Sequence, residues 1–149
     1  MILKRGYDND LIDFEINTCE TQGELFGDCQ FYDKYPCNAG DFIVKFMSSY
    51  IAADMDGDLS PYHTWGTQQL FDEMFLAFDS IGRIDEILDP DMMYWIGYIT
   101  RYWTWWLGTP SRVIIESCTF EFLCKVYPFH TLGPQEAILK IMEAKSMSI

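Results

Sequence analysis

Asp89-Pro90-Asp91-Met92-Met93-Tyr94-Trp95-Ile96-Gly97-Tyr98-Ile99-Thr100-Arg101-Tyr102-Trp103-Thr104-Trp105-Trp106-Leu107-Gly108 is the stretch that decides the fold. An aspartate cap followed by proline at the first helical position starts a helix cleanly, and Gly108 stops it. Met92, Met93, Trp95, Ile99, Tyr102, Trp103 and Trp106 recur at helical spacing. The other side carries Tyr94, Tyr98, Arg101 and Trp105, at i, i+4, i+7 and i+11. A helix that is apolar nearly all round lies at the centre of a domain, or is half core and half interface. Two uses fit the second stripe. It packs on the N-terminal hairpin, or it anchors a partner, since Tyr, Trp and Arg combine contact area with hydrogen bonding and few lost rotamers.

Moving outward, Thr109-Pro110 repeats the cap-and-proline signal and opens a helix to about Cys118. Phe120 to Tyr127 reads as a further short helix, and Gly133-Pro134 begins a last one with Ala137, Ile138 and Ile141 on its apolar face. On the N-terminal side, Leu70, Phe71, Met74, Phe75 and Phe78 predict a helix over about 67–80. Asp41 is the expected cap of another helix running to about Ala53. Further back the period changes. Ile12, Phe14 and Ile16 alternate with Asp13 and Glu15, which predicts a half-buried strand over 11–18 with an acidic outer face. Gly23, then Leu25 to Tyr32, predict a turn and a partner strand, closed by the turn Tyr35-Pro36-Cys37-Asn38. The expected fold is α+β: a mainly helical single domain over 1–149, with an acidic N-terminal β-hairpin in 1–38 and a helical body in 39–149.

The 149 residues are 49% apolar and 17% aromatic, which excludes intrinsic disorder and supports a core without staples. Arg101 interrupts the best apolar run, so none reaches the roughly 18 residues of a membrane span. The first residues lack a hydrophobic stretch for secretion, and the expected location is the cytoplasm of a bacterial host cell. The net charge of −13 is unevenly placed: residues 1–91 hold 19 acids against five bases, a net of −14. Such a field repels nucleic acid and anionic membranes and speeds encounters with a basic protein. Simple solubility is the bland use of the same charge.

Site chemistry is sparse. The five cysteines, Cys19, Cys29, Cys37, Cys118 and Cys124, form no C-x-x-C pair and are expected as reduced thiols. Asp54, Asp56 and Asp58 alternate as in a calcium loop. Leu59 then stands where the turn glycine belongs and Trp65 where the bidentate glutamate belongs, so no metal is expected. His63 and His130 are the only imidazoles, and no nucleophile motif, zinc motif or phosphate loop accompanies them. No cofactor is expected and no catalytic residue is assigned. A small enzyme with a histidine-lined pocket and a divalent-metal module stand as the alternatives.

Residues 93–103 (Met-Tyr-Trp-Ile-Gly-Tyr-Ile-Thr-Arg-Tyr-Trp), then Ser111 before Val113-Ile114, His130-Thr131-Leu132 and Ala137-Ile138, form a pattern with Asp41-Phe42 and Lys45-Phe46-Met47-Ser48. This pattern resembles a group of small Firmicutes proteins encoded beside ADP-ribosyltransferase-like toxins and taken as their antitoxins. The resemblance covers about half of the chain. Gly133 replaces an acidic helix cap, and the acidic N-terminal region has no counterpart, which points to a phage-borne relative directed at another target. The resemblance implies a non-catalytic inhibitor of a basic toxin or of a nucleic-acid-binding defence enzyme such as a CRISPR nuclease. The expected partner-binding residues are Asp8, Asp10, Asp13, Glu15, Asp54, Asp56 and Asp58, whose carboxylates would stand in for phosphates, with Tyr94, Tyr98, Arg101 and Trp105 as the anchor.

Overall fold

Two long helices cross within backbone contact, and the rest of the chain packs around them. The computed structural model describes residues 9–57 and 60–147. In chain order the helices are α1 (Asn9–Asp28), α2 (Ala39–Met47), α3 (Tyr50–Met55), α4 (Thr67–Ala77), α5 (Pro90–Leu107), α6 (Ser111–Ser117), α7 (Phe120–Lys125) and α8 (Pro134–Ala144). Short 3-10 turns cover Cys29–Phe31, Pro61–Thr64 and Tyr127–Thr131. None of the helices in the described residues is long and apolar enough to cross a membrane.

Helix α5 has the bounds its signals dictate. The Asp89 carboxylate accepts from the Asp91 N–H at 2.9 Å, Pro90 opens the first turn, and Gly108 ends the helix at φ 74°. Asn38, rather than Asp41, caps α2, accepting from the Asp41 N–H at 2.9 Å. Asp41 sits inside the first turn and instead accepts from the Gly82 N–H and from Lys45 Nζ. The helix expected to run unbroken to Ala53 divides at Ser48-Ser49, where the Ser49 side chain starts α3 by accepting from the Ala52 N–H.

The expected N-terminal β-hairpin is absent, and this corrects the α+β assignment. Residues 9–28 are one helix, Cys29–Phe31 a 3-10 turn, and the described residues contain no strand, only an isolated antiparallel bridge between Cys37 and Arg83. The physical reason lies in the buried face of α1. Glu15, Thr18, Cys19, Gln22, Gly23 and Phe26 recur every three or four residues and are all buried. Most of that face is small or polar, so hydrophobic periodicity does not reveal it, whereas the brief alternation at 12–16 imitates a strand. Gly23, expected at a turn, is a packing residue: a Cβ there would lie 2.9 Å from the Tyr94 ring. A Cβ on Gly97 would overlap the Gln22 carbonyl oxygen and lie 2.8 Å from Gly23 Cα. Only glycine at these positions permits so close a crossing.

The main core lies on the other side of the pair. Phe26 meets Phe42 and Phe46 edge-on, at 6.5 and 5.5 Å between ring centroids, and Phe42 continues to Phe71 at 5.6 Å. Met93, Ile96 and Trp103 of α5, Ile114 of α6 and Ile138 and Ile141 of α8 complete one buried cluster.

Candidate partner-docking face

Helix α5 presents a row of aromatic side chains along one edge of the crossing. Tyr94, Tyr98 and Tyr102 follow at four-residue steps, with rings 6.4 and 6.3 Å apart and nearly parallel. Trp105 closes the row edge-on to Tyr102 at 5.2 Å. All four side chains are half-buried. Gln135 of α8 donates to the Tyr102 hydroxyl at 3.3 Å and ties that helix to the row.

Helix α1 runs alongside with Glu20, Glu24 and Asp28 exposed at the same four-residue step, so a carboxylate recurs about every 6 Å of helix. Among the described residues no cation pairs with these three. The charge of Glu20 and Glu24 reaches the aromatic row. Burial and then Glu20 and Glu24 raise the Tyr94 phenol, while burial, Cys19 and Glu20 push Tyr98 up to about 12. Both phenols therefore keep their protons and their donor capacity at neutral pH.

Arg101 does not stand in this row. It is 2% exposed and is the hub of an interior polar network. Its Nη1 pairs with Asp56 Oδ1 at 2.8 Å, its Nε donates to Gln22 Oε1 at 2.9 Å, and its Nη2 donates to Ser111 Oγ at 3.3 Å. Gln22 in turn donates to the Gly97 carbonyl and to Thr100 Oγ1, both at 3.0 Å. Asp56 also accepts from Ser111 N–H at 2.8 Å and Ser111 Oγ at 2.6 Å. It thus satisfies the N-terminus of α6, which has no capping side chain of its own. One ion pair joins α1, the segment after α3, α5 and α6. A buried arginine needs this many acceptors, because an uncompensated charge there is costly.

The other expected partner-binding residues scatter. Asp8 and Asp58 lie outside the described residues, as do the side chains of Asp10 and Asp13, whose backbone belongs to α1. Glu15 is buried at 5% exposure rather than on an outer face, because α1 is a helix and turns it inward. Asp54 is exposed and accepts from Ser60 Oγ at 3.0 Å. The acidic loop therefore directs Asp56 inward and leaves Asp54 on the surface. Tyr102, Glu20, Glu24 and Asp28 are the residues that sequence reasoning passed over. Their signal was the four-residue repeat, hidden in α1 by the strand assignment.

The five thiols are packed into the fold, and both imidazoles are hydrogen-bonded to main-chain carbonyls. Burial raises all five thiols, Cys19 to about 12 and Cys37 and Cys124 to about 11, so none is a thiolate at neutral pH. His63 Nε2 meets the Met55 carbonyl at 2.6 Å. His130 Nδ1 meets the Tyr127 carbonyl at 2.8 Å, and its ring stacks on Tyr127 at 4.3 Å. No protein-family model, curated protein or solved structure matches the chain.

Proposed function

We propose that this chain is a non-catalytic inhibitor that docks onto a basic protein in the cytoplasm of a bacterial cell. The observation that carries the reading is the pairing of two rows across the α1–α5 crossing: Tyr94, Tyr98, Tyr102 and Trp105 on α5, and exposed Glu20, Glu24 and Asp28 on α1. Aromatic rings supply an anchor that loses little entropy on binding, and adjacent carboxylates steer and orient a cationic surface. The target is an ADP-ribosyltransferase-like toxin or a nucleic-acid-binding defence enzyme. In the second case the carboxylates of α1 occupy positions otherwise held by phosphates.

Co-expression tests the reading. The chain is expressed with ADP-ribosyltransferase-like toxins and, separately, with CRISPR nucleases, and neutralisation is scored as restored growth or as lost plasmid interference. Neutralisation is expected in one of these arms. The triple variant Glu20→Lys, Glu24→Lys, Asp28→Lys changes only exposed side chains and is expected to abolish it. Neutralisation that survives the reversal, or none in either arm, overturns the proposal.

A further inference from the structure

The aromatic row also forms one wall of a groove of about 310 Å³ between α5 and the turn leading into α8. Tyr94, Trp95, Tyr98 and His130 contribute rings, and Ile99 and Leu132 contribute apolar surface. The walls are held from behind. Trp95 packs edge-on against Tyr127 at 5.7 Å, and Tyr127 carries the stacked His130 ring. The charged side chains felt by the tyrosines that line and back the groove are carboxylates. Glu20 and Glu24 lie beside Tyr94, and Asp89 and Asp91 lie near enough to Tyr127 to add to the effect of burial in raising its phenol. Among the described residues no lysine or arginine lines the groove.

We infer that this groove receives a single arginine side chain of the partner protein, held between ring faces and balanced by the carboxylates of Glu20 and Glu24. The inference deepens the docking-face reading and rests on it. Charge complementarity selects a cation. The aromatic walls select arginine over lysine, because a guanidinium is planar, is weakly hydrated and stacks on rings, whereas an ammonium keeps its water. The apolar floor at Ile99 and Leu132 suits the methylene stem behind the guanidinium.

Nuclear magnetic resonance on the full chain tests the assignment, with the Trp95 indole N–H and the Ile99 and Leu132 amides as reporters. The probes are acetyl-Gly-Arg-Gly-amide and its citrulline, lysine and norleucine counterparts. The arginine peptide is expected to shift the reporters and to bind about fivefold more tightly than the citrulline peptide. The double variant Glu20→Gln, Glu24→Gln, exposed and remote from the core, is expected to lose most of that preference. Equal binding of citrulline or norleucine makes the groove a plain apolar slot, and equal binding of lysine removes the guanidinium assignment. Reporter shifts that follow protein concentration without peptide make the occupant a second copy. Each of these outcomes overturns the inference, as does a preference untouched by the double variant. If the peptides fail while the charge reversal still abolishes neutralisation, the groove is lost and the docking face stands. If the peptides succeed while neutralisation fails, the groove stands without the inhibitor.

Discussion

Gly97→Ala separates a glycine kept for packing from one that is merely tolerated. In an exposed helix interior, replacing glycine by alanine stabilises by about 1 kcal/mol. Here the new methyl would overlap the Gln22 carbonyl oxygen and lie 2.8 Å from both Gln22 C and Gly23 Cα, all of them backbone atoms that cannot rotate away. Helices α1 and α5 must then part by about 1 Å to restore ordinary contact. Overpacking of this kind costs about 3 kcal/mol, at the upper end of its usual range. Set against the propensity gain, the net loss is about 2 kcal/mol, and a chain of this size should melt about 4–8 °C lower. Urea and thermal unfolding followed by circular dichroism measure both quantities. Gly23→Ala offers a graded comparison. Its clash at 2.9 Å is with the half-exposed Tyr94 ring, which can swing aside, so a loss of about 1 kcal/mol is expected. A Gly97→Ala protein as stable as the parent, or more so, would refute the close crossing and with it the helical placement of α1.

The remaining expectations concern the interior network, the thiols and acid stability. Arg101→Met leaves partly buried Asp56 and the Gln22 side chain without their cation, and a loss of about 3 kcal/mol in urea unfolding is expected; less than about 1 kcal/mol would show that the network does not bind α1, α5 and α6 together. Cys19, held up at about 12 by burial, should react with N-ethylmaleimide in the native protein only as fast as the chain opens; immediate labelling would contradict its burial. Burial opposes ionisation of Asp41, but the Gly82 N–H and Lys45 outweigh it, so the carboxyl sits below its usual range. A carboxylate lowered by folding contributes stability above its unfolded value, and that stability is lost as pH falls through the folded one. Asp41→Asn should therefore be less stable at neutral pH and should lose less stability than the parent on acidification below about pH 4. Parallel acid-unfolding curves for the two proteins would argue against this role.

What could be read in the sequence follows from where each signal is physically encoded. The bounds of α5 are local, written in Asp89, Pro90 and Gly108, and the same holds for the proline that opens α8. Helix α1 is fixed by contacts at long sequence range. Gln22 is buried because Gly97, Thr100 and Arg101 accept or donate to it across 75 to 79 residues, and no window of neighbouring sequence contains those partners. Arg101 illustrates the same limit. Its spacing places it beside Tyr94 and Tyr98 on a helical wheel, but Asp56 and Ser111 draw it inward. The acidic 54–58 segment showed its charge but not its use, since the Asp56 carboxylate is occupied by the start of α6.

The glycine crossing has a consequence for how this surface can change over generations. The ring ladder and the carboxylate ladder belong to different helices, and their mutual distance is gauged by main chain against main chain at Gly23 and Gly97. Of the ladder residues, Tyr94 reaches into the crossing, where its ring lies over Gly23. Exchanging an exposed carboxylate of α1 for another residue leaves the Gly23–Gly97 approach intact. The outward letters can be rewritten over generations, while the frame that holds the two ladders in register stays constant.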